Sequence, residues 1–374
     1  MWSRRWFTGR TRALGPAALV MFLQAMSAPT VAVHLEEARQ VLADASTSAA
    51  SWSGPTLGPP ARPGRTIAVL AEDLRNSGVL GVAQGIREAA REIGWQVRVL
   101  DAGGTPEGRR RALADALAGR PDGLVLCGSD ANELEPALRA AGRRLPHVVG
   151  WHAAAQAGAV PQTSLAMNVT TDPLVVARLA ALAVIAQSEG QAGVVVFNDS
   201  RFAIATAKAQ AMADAIRACG GCSVLEVVDV PISESASRTA AVVRGLLDRH
   251  GGRWTHTLAI NDIYFDHAVP VFISRGVPGS RMSLVSAGDG SAAAFMRIRA
   301  GSYQTATVAE PLTMQGWQIV DELNRRMAGE PVSGFVAGAQ LVTSSNVGSN
   351  GPTRYVHDPG NGYRDIYRQI WGVP

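Results

Sequence analysis

Three cysteines in 374 residues are too few for a disulfide framework, and aromatic residues, at 6%, are scarce. Folding must therefore rest on an apolar core, and 47% hydrophobic residues supply one. Charged residues make up only 18%. Beyond the N-terminal region, no apolar run approaches the length of a membrane span. Motifs of several enzyme classes are also missing. No GxGxxG follows the first strand pattern, and no GxxxxGK phosphate loop occurs. There is no G-x-S-x-G nucleophile elbow. His147 and His152 lack the spacing and partners of a zinc motif. Nothing singles out a carboxylate pair at the separation that glycoside hydrolysis needs. The expectation is a protein that is not an enzyme and holds neither cofactor nor metal.

What is present begins with a basic front, Arg4, Arg5, Arg10 and Arg12, followed by an apolar run from Ala17 to Met26. Small residues stand at Ala25, Ser27, Thr30 and Ala32. Residues 1–32 therefore read as an export signal, its apolar run too short to span a bilayer. "SRRWF" resembles a twin-arginine signal; a general secretory signal with paired arginines is the alternative. No cysteine lies near the cleavage positions, so no lipid anchor is expected. The segment holds four arginines and no acid, so its loss turns a formal charge of +4 into neutrality. A neutral mature chain is a poor partner for nucleic acid or anionic lipid. Cys219 and Cys222, in "CGGC", follow a helical stretch. A redox pair sits at a helix N-terminus, so a structural disulfide is expected in an oxidising compartment.

The length exceeds what one core usually serves, which argues for two lobes. After a short helix and a linker rich in Ser, Gly and Pro (33–65), strand and helix patterns alternate. "TIAVLA", "WQVRVLDA", "GLVLCG" and "HVVGWH" are apolar strands, with helical spacing between them. The rhythm restarts with "AGVVVF", "SVLEVVDV", "THTLAI" and "MSLVSAG". The expected class is α/β, with two doubly wound parallel-sheet lobes joined by crossover hinges. Lobe 1 is placed at 66–167, completed by about 310–339. Lobe 2 is placed at 168–309, completed by about 340–345. A C-terminal extension, 346–374, is expected to pack along one lobe.

In open α/β sheets, ligands bind beyond the carboxyl ends of the strands. Nearly every strand here ends in a polar group: Glu72 and Asp73, Ser129 and Asp130, His152, Asn198 and Asp199, Asn261 and Asp262, Asp289, Glu310. "TIAVLAEDLRNSGVLGVAQGIREAA", "LAINDIYFD", "SAGDG" and "ATVAEPLTMQG", with the restarted rhythm, resemble periplasmic substrate-binding proteins of the type I, ribose-binding-like class. Members of that class serve ABC importers of sugars. The resemblance covers about residues 66–345. It makes Asp73 and Asn76 first-loop ligand contacts. It sets Trp151 and His152 where an Asp-Arg pair holds the sugar in ribose-type members, and Lys208 where an arginine stands. Asn261 matches the strand-end asparagine, Asp289 the "GFDG"-type aspartate, and Glu310 replaces a crossover glutamine. The two first-loop phenylalanines fall at Gly78 and Val79, and the phenylalanine before the aspartate at Gly288. Stacking must then come from Trp151, Phe202 or Tyr264. Asp262 is read as the cap of the helix near Tyr264. The resemblance implies a monomeric periplasmic receptor. It would close on a sugar or polyol and deliver it to an ABC permease. A sensing partner of a receptor kinase or chemoreceptor is the alternative.

Overall fold

The computed structural model describes residues 28–47, 51–142, 145–348 and 355–374. The proposed signal lies outside these residues except for 28–32, which open helix α1 (Ala28–Ser46). The first sheet is built along β1 (Thr66–Ala71), α2 (Ser77–Glu92), β2 (Gln96–Asp101), α3 (Pro106–Ala118), β3 (Gly123–Cys127), α4 (Ala131–Ala141), β4 (His147–Trp151), β5 (Gly158–Ala159) and β6 (Leu165–Val169). The second runs through α5 (Pro173–Gln187), β7 (Gly193–Asn198), α6 (Ala203–Ala218), β8 (Ser223–Asp229), α7 (Ser235–His250), β9 (His256–Ala259), α8 (Ile263–Ser274), β10 (Ser283–Ser286), α9 (Ala292–Arg299) and β11 (Gln304–Ala309). The chain then returns through α10 (Leu312–Met327), crosses again to β12 (Gln340–Thr343) and ends in α11 (Tyr363–Trp371).

The strand orders are β2-β1-β3-β4-β6-β5 and β12-β11-β10-β9-β7-β8. All pairings are parallel except β5–β6 and β11–β12. Two α/β lobes result, with the continuous apolar strands buried between helices, as parallel sheets require. Three segments join them: 170–172, 310–311 and 328–339. The antiparallel β12 belongs to the second sheet, whereas α10 just before it packs on α2 of the first. β6 reads poorly as a strand because Asn168 interrupts it. That side chain is buried, accepts from Ala153 N–H and donates to the Ala154 and Gln156 carbonyls.

Helix α2 shows why this sequence packs as it does. Asn76 caps its first turn by accepting from Gly78 N–H at 3.0 Å. Val79, Val82, Ala83, Ile86, Ala89 and Ala90 form a buried stripe at helical spacing. Against it, Gly85 and Gly316 let α2 and α10 touch through their backbones. A Cβ on Gly85 would lie 2.6 Å from the Thr313 carbonyl, and one on Gly316 2.5 Å from Ile86 N.

The termini fasten onto both lobes. Gln340 and Asn346 donate to the Ser46 carbonyl at the end of α1, beside the second sheet. The following linker docks on the first lobe, where Arg325 donates to Leu57 O and Asn324 to Pro59 O. Helix α11 buries Tyr363, Tyr367 and Trp371 there, with Trp371 stacked on Trp317 at 5.4 Å. The Cys219–Cys222 disulfide closes the C-terminal end of α6.

Gly316→Leu is predicted to destabilise the protein by roughly 1–3 kcal/mol, because overpacking must push α10 off α2. Urea unfolding checks this; an unchanged midpoint would show that the helices do not need the close approach.

Candidate functional site

The carboxyl ends of β1, β4, β9 and β10 converge with the first turns of α6 on a cavity of about 60 Å³ between the lobes. The first lobe contributes Glu72, Asp73, Asn76, Val79, Trp151 and His152 to its wall. The second contributes Phe202, Ile204, Lys208, Ile260, Asn261 and Asp289, among others. The cavity thus lies where the chemistry of open α/β sheets places ligands.

Its inner end is a connected set of polar side chains. Asn261 accepts from Ile263 N–H at 2.9 Å and donates to Asp289 at 2.7 Å. Asp289 is buried, and burial pushes its carboxyl up to about 6 against the pull of His152 and Lys208. Lys208 is the only lysine in the sequence. It is buried, donates to the Ala287 carbonyl at 2.9 Å and stands 3.7 Å from Glu310. His152 lies 3.0 Å from the same Glu310 oxygen, its ring stacked on Trp151 at 3.8 Å.

Not every expected residue reaches the cavity. Glu310 lies behind the wall, fully engaged. One oxygen faces His152 and Lys208, and the other accepts from Gln315 at 2.9 Å and from Thr171 N–H at 3.3 Å. Burial alone would raise its carboxyl, but His152 and Lys208 override that and hold it below the usual range. It bonds the residues in front of it and is not part of the cavity wall. Tyr264 is buried in the second lobe, where its hydroxyl donates to Val230 O at 2.6 Å and its ring packs on Phe197. It is no wall of the cavity, because its position in the first turn of α8 turns it back onto the sheet. Trp151 reaches the wall, but its indole N–H is spent on Gln315 at 2.8 Å and His152 covers one face. Asp262 does not cap α8 with its side chain. It accepts from Gly290 N–H, Ser291 N–H and Gln304, bracing the loop that carries Asp289. The carboxylate of Asp73 is engaged by Arg75.

Three wall elements stand outside the expected ligand contacts. Glu72 is held by Arg109 at 2.5 Å and Ser129 at 2.8 Å. Arg201 forks onto Asp199, and Ile232 and Ser233 come from the turn after β8. Glu72 and Ser129 both follow strands, which was the available signal. Arg109 sits in an arginine run on α3 that reads as a solvated face.

A family model described as a periplasmic binding protein domain matches residues 67–331, more than half of the chain. The protein belongs to that family and has its type I fold. A sugar ABC transporter protein from Yersinia enterocolitica is similar with a TM-score of 0.69 and 15% identity, over 84% of this chain and 100% of that one. The periplasmic binding component of the arabinose ABC transporter from Shewanella sp. ANA-3 is similar with a TM-score of 0.67 and 15% identity, over 82% and 97%. An ABC sugar transporter subunit from Rhodobacter sphaeroides is similar with a TM-score of 0.63 and 19% identity, over 76% and 99%. At these identities the likeness is one of fold. A comparison with curated proteins finds no match.

The Asp289 shift gives a pH signature. Its folded-state value, about 6, lies above the ordinary 3.8. Its stabilising contribution is therefore complete below about pH 4 and is lost as pH rises through about 6. Asp289→Asn is predicted to stabilise the ligand-free protein at about pH 7.5, by on the order of 2 kcal/mol, and to lose that advantage at about pH 4. Urea unfolding at both values measures it; a difference independent of pH would contradict the assignment.

Proposed function

We propose that this protein is the solute-binding component of an ABC importer. It is exported to the periplasm and acts there as a monomer, by binding without turnover. It closes its two lobes round a sugar or other small polyol and delivers the ligand to a membrane permease. The observation that carries the reading is the inner polar set of the cavity: Asn261 bonded to Asp289, Lys208 above Glu310, and His152 opposite. A carboxylate accepts from hydroxyls, an ammonium donates to them, and together they can hold a vicinal diol. Family membership supports the class. The sugar transporter proteins named above support the ligand type. Closing the lobes would exclude water and strengthen each contact.

A thermal-shift screen against pentoses, hexoses and linear polyols tests the reading. A true ligand at a hundred times its Kd stabilises the fold by about 2.7 kcal/mol, a readily measured rise in Tm. Lys208→Met should weaken that ligand at least about tenfold, because a charge-assisted hydrogen bond contributes roughly 1.5–3 kcal/mol. If every polyol leaves Tm unchanged while an amino acid or nucleoside raises it, the reading is wrong.

A further inference from the structure

The two ends of the cavity differ in chemistry. The inner end carries Lys208, Asp289, Asn261 and His152. Helix α6 starts at the outer end, after Phe202, and runs from there to the lysine; Ile204 and Lys208, four residues apart, share its cavity-facing side. Ile204 therefore stands about one helical turn outward from the lysine, and Phe202, at the helix N-cap, lies beyond it. Ile232 joins them, since its N–H donates to Asp199 at 2.8 Å beside Phe202.

The charges at this outer end are committed to one another. Each lobe carries the same Asp-x-Arg fork just after its first strand. Arg75 reaches Asp73 at 2.9 and 2.6 Å, and Arg201 reaches Asp199 at 2.9 and 2.7 Å. Each arginine also crosses to the opposite lobe: Arg75 to Ser233 O at 3.5 Å, Arg201 to Gly104 O at 3.4 Å. The Ser233 hydroxyl already accepts from Arg201 at 3.2 Å. Gly104 allows this approach, because a Cβ there would lie 2.4 Å from that of Ser233. A ligand's outer end meets Phe202, Ile204 and Ile232 under a seam of paired charges. A hydroxyl placed there would lose water and meet polar groups already bonded to one another.

We propose that the ligand is a deoxy sugar or short polyol with one unhydroxylated, aliphatic end, bound with its diol inward and its methyl end against Ile204 and Ile232. This rests on the reading of the cleft as a polyol site and narrows it. It assigns Ile232 as a specificity-determining residue on the second lobe.

Matched pairs test it by isothermal titration of the purified protein: D-fucose against D-galactose, L-fucose against L-galactose, L-rhamnose against L-mannose, and 1-deoxyerythritol against erythritol. In the series that binds, the deoxy member should be tighter by roughly tenfold, and by no more than about a hundredfold. Ile232→Asn, which offers the added hydroxyl a partner, should cut that ratio below about threefold while Tm stays within a few degrees. Parent sugars that bind as tightly as their deoxy forms overturn the proposal and leave the polyol reading standing. Binding of none, with a non-polyol raising Tm, overturns both.

Discussion

One buried carboxylate ties the architecture together. Glu310 lies at the second crossover and is fully enclosed. His152 comes to it from the first lobe, Lys208 from the second, Thr171 from the first crossover and Gln315 from α10. An isolated carboxylate at such depth would be far too costly. Here two potential cations and two N–H donors compensate it, so moving any of these four elements removes part of that compensation. The floor of the cleft and the hinges between lobes are therefore one electrostatic unit. The residues facing the cavity inherit their orientation from a group that does not face it.

Outward from this point the pattern repeats: charges are satisfied by protein partners before any ligand arrives. Glu72 is held by Arg109 and Ser129, Asp73 by Arg75 and Asp199 by Arg201. Asp289 differs, since its one hydrogen-bonded side-chain partner among the described residues is the neutral Asn261. That explains why burial lifts its carboxyl while Glu310, beside the same cations, is held down. Two acids just beyond the carboxyl ends of the neighbouring parallel strands β11 and β10 thus acquire opposite character from their surroundings alone.

Much of the fold could be read from hydrophobic rhythm, because buried parallel strands leave continuous apolar runs such as "IAVL" and "GVVVF". Strand ends were legible for the same reason: the polar residue that breaks the run marks the sheet's carboxyl edge. That rule brings Asn261, Asp289, His152 and Asp73 to one cavity. It fails at depth. Position in the chain does not say whether a strand-end side chain faces the cleft or the layer beneath, which is how Glu310 and Tyr264 differ from Asp289. Asp262 shows a second limit. Its neighbour Asn261 accepts from the Ile263 N–H, leaving Asp262 to brace the next loop. Arg109, Ile232 and Ser233 carry no periodic signal, since they reach the site only through tertiary packing.

Glu310 and Lys208 thus form a coupled pair that organises the cleft floor. A double-mutant cycle in urea unfolding of the ligand-free protein tests it, using Glu310→Gln, Lys208→Met and both together. Removing one partner strands a buried charge, whereas removing both leaves none. Each single variant should be destabilised by about 3 kcal/mol, the double variant should lose less than the two combined, and the coupling should be at least about 1 kcal/mol. Additive single effects would contradict it.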